Sequence, residues 1–396
     1  MVSASATAPV ARPIRLGMVG GGQGAFIGAV HRMAARLDGH YVLVAGALSS
    51  DPERARASAA ELGLDPDRSY GSFEEMARAE SARPDGIEAV SIVTPNHMHY
   101  PAAKAFLEAG IHVICDKPLT SSLEDAKALV ETVRKSGRLF VLTHNYSGYP
   151  MIRQARQMVQ EGVLGDIILA QAEYPQDWLS EPLEQSGNKQ ASWRTDPARS
   201  GVGGATGDIG THAYQLITFV TGLHAESVAA DLDRFVPGRQ LDDNAHVMLR
   251  FAERNGRRAK GTIWVSQVAP GNENGLKLRV YGTKGGLEWV QADPNYLWYT
   301  PLGEPKRLIT RGGAGANQAA ASVTRIPSGH PEGYLEAFAT LYTEAAGAIR
   351  ALRDGGSLPE NHLLPTVEDG LEGMRFIQAC VTSSNKDAAW TRLDSL

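Results

Sequence analysis

At 396 residues the chain is too long for one ordinary hydrophobic core and implies two domains. Its 43% hydrophobic and 21% charged residues read as a soluble globular protein, and a formal net charge of -5 argues against the basic face that nucleic-acid binding demands. The two cysteines, Cys115 and Cys380, belong to no C-x-x-C pair, which argues against a disulfide framework or zinc cluster and fits a reducing cytoplasm; no apolar run is long enough to span a membrane.

Residues 1–12, MVSASATAPVAR, are small and polar, lack the apolar core of a signal peptide, and are expected to form a flexible arm. From Ile14 apolar runs alternate with amphipathic stretches. IRLGMVG reads as a buried strand, AFIGAVHRMAARL as a helix and HYVLVAGALS as a second strand. Asp51 and Pro52 supply an N-cap and first-turn proline to the helix DPERARASAAELG. The helix SFEEMARAE, strand IEAVSIVTP, helix HYPAAKAFLEAG, strand IHVICDKP, helix SLEDAKALVETVRKSG and strand LFVLTHNY follow. Such alternation builds parallel strands with helices on both faces, an α/β domain over residues 13–145.

Over residues 146–396 the character changes. The helix YPMIRQARQMVQEGVLG and strand DIILAQAEYPQDW lead into a polar, Gly-rich loop. DIGTHAYQLITFVTG reads as a helix. The strands DDNAHVMLRFA, RRAKGTIWVSQV, LKLRVYGTKGGLEWV, NYLWYTP and PKRLITRG come in close succession. Their alternation predicts a large open, mainly antiparallel sheet with one covered face, in an α+β domain. GGAGANQAAASVTRIPSGHPEG reads as a long loop of the functional or mobile kind. Two helices, GYLEAFATLYTEAAGAIRAL and TVEDGLEGMRFIQACVTSS, close the chain.

The turn MVGGGQGAFIGAVH stands between a strand and a helix, the context in which G-x-G-x-x-G carries meaning. Gly supplies positive φ cheaply, and the helix N-terminus offers free N–H groups to a pyrophosphate. Gly20 and Gly22 fit the first two positions; the third is Ala25 or, with a longer turn, Gly28. Gln23, Gly24, Phe26 and Ile27 complete the expected cofactor seat. At the end of the second strand, where an acid usually binds the adenosine ribose, stand Ser49 and Ser50. Ser49 suits a ribose hydroxyl or a 2′-phosphate, and Arg54 is placed to reach a phosphate, so NAD and NADP both stay open.

Two further motifs, TPNHMH (Thr94–His99) and CDKP (Cys115–Pro118), end predicted parallel strands, where ligands bind in open α/β sheets. Together with GGGQGAFIGAVH, WRTDP, GDIGTH and GHPEGY, they make the chain resemble the Gfo/Idh/MocA oxidoreductases over nearly its whole length. The resemblance implies an N-terminal Rossmann domain and a C-terminal domain whose open sheet mediates dimer or tetramer formation. Lys117 matches the family lysine that touches nicotinamide ribose and substrate, with Asp116 in the neighbouring carboxylate role. Thr94, Pro95, Asn96 and His99 match the loop beside the nicotinamide. Asp208 and His212 match the family D-x-x-x-H, whose histidine is the usual catalytic base. Tyr214 and Gln215 stand where some relatives carry a further Asp.

These residue types suit alcohol oxidation, in which the cofactor accepts a hydride and the protein a proton. A histidine accepts protons near neutral pH. Asp208, four residues before His212, shares its helix face and can orient the imidazole or bind a neighbouring hydroxyl. Lys117 can stabilise alkoxide character. Tyr146, Tyr149, Asp177, Trp193, Arg194 and His330 are the remaining substrate candidates, with Trp193–Arg194 offering an apolar face beside a donor fork. His97 and His99 alternate on one loop without a carboxylate or Cys cluster, so no metal is expected. The reading is an NAD(P)-dependent dehydrogenase of a cyclic polyol or pyranose; a keto-sugar reductase and a non-catalytic dinucleotide sensor are the alternatives.

Overall fold

The structure is a computed structural model that describes residues 12–254, 256–358 and 362–396. The expected arm therefore lies outside the described residues except for Arg12, which pairs with Glu88.

The first sheet holds β1 (Ile14–Gly20), β2 (Tyr41–Ala47), β3 (Ala89–Val93), β4 (His112–Cys115) and β5 (Phe140–Leu142) in the order β2-β1-β3-β4-β5, every pair parallel. The central strands are apolar along their length because helices cover both faces; β3 and β4 are buried at every residue. Local chemistry sets the helix ends. Asp51 accepts from Arg54 N at 2.8 Å and starts the helix Pro52–Glu61, and Ser122 caps Leu123–Ser136, which Gly137 ends in the left-handed region. Strand order reverses between β1 and β3, so the crevice for a ligand opens at their carboxyl ends.

The expected division at residue 145 separates the two sheets but not their covering helices. Helix Tyr334–Arg353 returns to the first sheet, where Phe338, Tyr342 and Ile349 pack with Ile14, Leu16 and Val30. An amphipathic pattern shows that a helix has a face to bury; it does not show which sheet will cover it.

The second sheet has nine strands: β6 (Ile167–Pro175), β7 (Ala225–Asp233), β8 (Asn244–Arg254), β9 (Arg257–Ser266), β10 (Lys277–Gly282), β11 (Gly285–Val290), β12 (Tyr296–Pro301), β13 (Arg307–Thr310) and β14 (Thr391–Arg392). Their order is β13-β12-β11-β10-β6-β9-β8-β7-β14, antiparallel except for the parallel β6–β9 pair. LKLRVYGTKGGLEWV is a hairpin of β10 and β11, not one strand, because the chain reverses after Gly282. Strands β7 and β14 have no clear alternation and escape a periodicity reading. The long loop carries a short helix, Gln318–Ala321, and is pinned where Arg311 pairs with buried Glu332 at 2.9 Å.

One face of this sheet packs Ala170, Ala172, Val247, Leu249, Ile263 and Val265 into the main core. Helices Pro150–Gln160, Thr211–Thr221 and Val367–Ser384 contribute to the same core. The other face presents Leu169, Met248, Thr262 and Trp264 without a covering layer among the described residues. Among the described residues no helix is long and apolar enough to cross a membrane.

Candidate active site

The glycine turn leaves β1 with Gly20 at φ +76° and Gly21 at φ +71°. A Cβ on Gly28 would fall 2.4 Å from the Gly21 Cα. Gly28, and not Ala25, therefore provides the close helix-to-turn packing of the third motif position. The turn is held by Gly22 N donating to Leu48 O at 3.2 Å and Gln23 N to Ser58 Oγ at 3.0 Å. No side chain caps the helix Phe26–Leu37 and its first turn holds no acid, unlike the helices capped by Asp51 and Ser122. Its N–H groups are free for an anion, so the seat fits a dinucleotide pyrophosphate.

Across the cleft, Lys117 Nζ donates to Asp208 Oδ1 at 2.7 Å and to the Asp208 carbonyl at 2.6 Å. Gln267 Nε2 donates to Asp208 Oδ2 at 2.9 Å, and Arg194 Nε lies 3.3 Å from the same oxygen. Burial alone would raise the Asp208 pKa, but the Lys117 and Arg194 charges outweigh it and hold the carboxyl below its usual range. Asp208 sits in a π-helical turn, Thr206–Gly210, that runs into the helix Thr211–Thr221. Buried Asp242 seats this turn, accepting from Gly204 N at 2.6 Å and from Thr206 N and Oγ1 at 2.7 Å. A Cβ on Gly204 would strike the Asp242 carbonyl at 2.0 Å, which accounts for glycine there.

His212 lies beyond Asp208 and is only 6% exposed. The Asp208 carboxylate is committed to Lys117 and Gln267 and does not bond the imidazole, contrary to one expected role; the π-helical turn intervenes between the two residues. His212 Nδ1 is buried without a hydrogen-bond partner, and the ring packs edge-on against Tyr146 at 4.8 Å and His144 at 5.6 Å between centroids. Burial, reinforced by the Lys117 charge, holds His212 well below its ordinary value, so it is neutral at pH 7. Tyr146 backs the imidazole from the core instead of facing the cleft, its hydroxyl engaged with Tyr174 and Asn274.

A cleft of about 500 Å³ joins the glycine turn to Lys117 and Asp208; His212 lies behind Asp208 and is not among its lining residues. Of the expected cofactor residues, Gly20, Gly22, Gln23, Ala25 and Ile27 line it from the turn, and Ser49, Ser50 and Arg54 from the end of β2. Thr94, Pro95 and Asn96 line it after β3, with Asp116 and Lys117 after β4. Trp193, Arg194 and Asp208 face it from the second domain, and the Arg194 guanidinium lies 4.2 Å from the Trp193 ring centre. Asp116 is held by Thr143 Oγ1 at 2.9 Å; although burial acts to raise it, His31 and Lys117 keep it ionised.

Other expected site residues lie elsewhere. His99 is buried with Nδ1 2.8 Å from the Pro118 carbonyl and Nε2 3.0 Å from that of Thr94, tying the two strand-end loops together. Phe26 is 68% exposed and with Gly24 borders a separate hollow outside the cleft. Tyr149 packs on Trp289 in the core, its hydroxyl accepting from Gln291. Asp177 accepts from Gly271 N at 3.0 Å, and exposed His330 gives its carbonyl to Arg311. These are structural placements, set by local backbone donors and acceptors that no motif reveals. Conversely, His97, Gln190 and Arg199 line the cleft without having been singled out for cofactor or substrate contact. Their signal was adjacency: His97 stands inside TPNHMH and Arg199 five residues after Arg194.

Two family models match the chain: an oxidoreductase family with an NAD-binding Rossmann fold over residues 14–156, and the GFO/IDH/MocA C-terminal domain over residues 152–288. An oxidoreductase structure from Sinorhizobium meliloti is 63% identical, covers 96% of this chain and 99% of its own, and has a TM-score of 0.87. An inositol dehydrogenase homologue from Azotobacter vinelandii, solved with NAD+, is 37% identical at a TM-score of 0.92 over 96% of this chain and 98% of its own. In complex with NADH and myo-inositol it is 36% identical at a TM-score of 0.89 over the same shares. Levoglucosan dehydrogenase of Pseudarthrobacter phenanthrenivorans is 31% identical over 95% of this chain and 97% of that protein.

Proposed function

The chain belongs to the Gfo/Idh/MocA family of NAD-dependent oxidoreductases, and from that premise we propose that it oxidises a secondary or anomeric hydroxyl of a cyclic polyol or pyranose. Scyllo- or myo-inositol and the aldopyranoses are the candidate substrates. The observation that carries the reading is the Lys117–Asp208 contact at 2.7 Å in the cleft that the glycine turn opens. Relatives solved with myo-inositol and named for levoglucosan support a ring polyol as the substrate class.

Bound NAD supplies the hydride acceptor at the nicotinamide C4. Lys117 hydrogen-bonds the reacting oxygen and stabilises the charge that develops on it. Asp208 holds the ammonium in place. His212, held neutral beside Asp208, takes the hydroxyl proton. Trp193 and Arg194 present an apolar face beside guanidinium donors to the sugar ring. The open face of the second sheet, with Leu169, Met248 and Trp264, is the surface for a homodimer or tetramer. The buried free thiols Cys115 and Cys380 suit a reducing cytoplasm.

The test is a panel of cyclitols and pyranoses with NAD and NADP, followed through absorbance of the reduced cofactor. Turnover of at least one free ring polyol is expected; none on any member would overturn the assignment.

A further inference from the structure

Of the cations that line the cleft, Arg54 and Lys189 are exposed, and the partly buried ones are not equally engaged. Lys117 and Arg194 both pair with Asp208. Arg199 is partly buried in the same cleft, yet among the described residues its guanidinium makes no ion pair and no hydrogen bond. Asp196, the nearest acid in sequence, is occupied capping the helix Pro197–Ser200, accepting from Ala198 N at 2.9 Å.

The segment that carries Arg199 is fastened to the first domain. Asn96 Nδ2 donates to the Ser200 carbonyl at 2.9 Å. Gly201, at φ +100°, comes so close that a Cβ would fall 2.4 Å from the Ser121 carbonyl. The second domain thus delivers this side chain over the loop that follows β3. His97, on that loop, lines the same cleft wall as Arg199.

A guanidinium offers five donors, and leaving it partly desolvated without an acceptor is costly. A ligand that brings an anion resolves that cost. In NAD the negative charge resides on the pyrophosphate. We propose that Arg199 is a cofactor-binding residue contributed by the second domain, gripping the pyrophosphate from the side opposite the glycine turn. The domain that binds substrate thereby also sets cofactor affinity.

The test is equilibrium binding of NADH, ADP-ribose and adenosine to the full chain and to Arg199→Ala, by fluorescence and calorimetry. ADP-ribose has the pyrophosphate but no nicotinamide; adenosine has neither. The expected result is about tenfold or greater weakening of NADH and ADP-ribose alike, with adenosine unchanged and partial recovery in Arg199→Lys. Unchanged binding of NADH and ADP-ribose overturns the proposal, with or without a raised KM for substrate. So does equal weakening of adenosine, which would trace the effect to the shape of the cleft. If Arg199→Ala does not fold, Arg199→Gln, of similar length, carries the same comparison. Failure of the unmodified chain to bind NADH would instead count against the cofactor site itself.

Discussion

Lys117 Nζ and Asp208 Oδ1 lie 2.7 Å apart although 91 residues separate them in the chain. Lys117 follows β4 of the first sheet, and Asp208 stands in the turn before a helix of the second domain. Both residues line the cleft, and both side chains are mostly buried.

Asp208→Asn keeps the shape of the side chain and its contact with Gln267 while removing the charge that compensates Lys117. We expect kcat to fall about 100-fold, the scale of losing one preorganised electrostatic element, together with a lowered Tm from the uncompensated cation. Steady-state kinetics and thermal unfolding check this; an unchanged kcat would show that Lys117 needs no partner.

His212→Ala should lower kcat by about 10²- to 10⁴-fold, with a smaller effect on substrate KM. Because His212 is held well below its ordinary pKa, it stays in the proton-accepting form through neutral pH. The kcat/KM of the unmodified enzyme should therefore show no acid limb from this residue near the usual imidazole value of about 6.5. A limb at that value, absent in the variant, would place the base in a more solvated setting.

Acid should destabilise the fold earlier than carboxylate titration alone predicts. Burial lowers His112 to about 4 and His144 to about 3, and holds His212 low as well. The unfolded chain takes up these protons first, at about pH 6.5, so their contribution is complete above that pH. It is lost as pH falls from there toward 4 and then 3. A Tm that declines steadily below neutrality is the expected record, and His144→Phe should flatten it.

Gly24 of the turn and Gly28 of the helix behind it should behave differently. Gly28→Ala puts a methyl 2.4 Å from the Gly21 Cα, so it must push the helix off the turn and abolish tight NADH binding. Gly24→Ala meets nothing within 4 Å and suffers only from its φ of +76°, a cost of about 1 kcal/mol. NADH fluorescence titration and Tm together separate the two outcomes.

Ser49 stands where a ribose-binding acid is usual and lines the cleft with Ser50 and Arg54. Ser49→Asp should lower kcat/KM with NADP relative to NAD by about tenfold, through repulsion of the 2′-phosphate. An unaltered ratio would show that this strand end does not discriminate between the cofactors.

Much of the fold was legible because its signals are local. Strand–helix alternation, the capping Asp51 and the glycines of the turn each depend on a few neighbouring residues. β7 was not legible, since AESVAADLD has no clear period, and neither was the π-helical turn that carries Asp208. At the site, Lys117 and Trp193–Arg194 could be read as candidates from motif and position. His99 and Tyr149 could not be sorted from binding residues, because their type suits either role and only their partners differ.

The sequence by itself determined a parallel α/β sheet ahead of an open, mainly antiparallel one and a strand–turn–helix seat for a dinucleotide, and it pointed to Lys117, Asp208 and His212 as candidates for the chemistry. Tertiary structure decided that Asp208 serves Lys117 and not His212, that Gly28 is the third glycine of the seat, that helix Tyr334–Arg353 covers the first sheet, and that Arg199 reaches the cleft. Periodicity and turn chemistry act over a few residues and are written in order along the chain. Ion pairs, burial and the shift of a pKa arise between groups that sequence keeps far apart and only packing brings within a few ångströms.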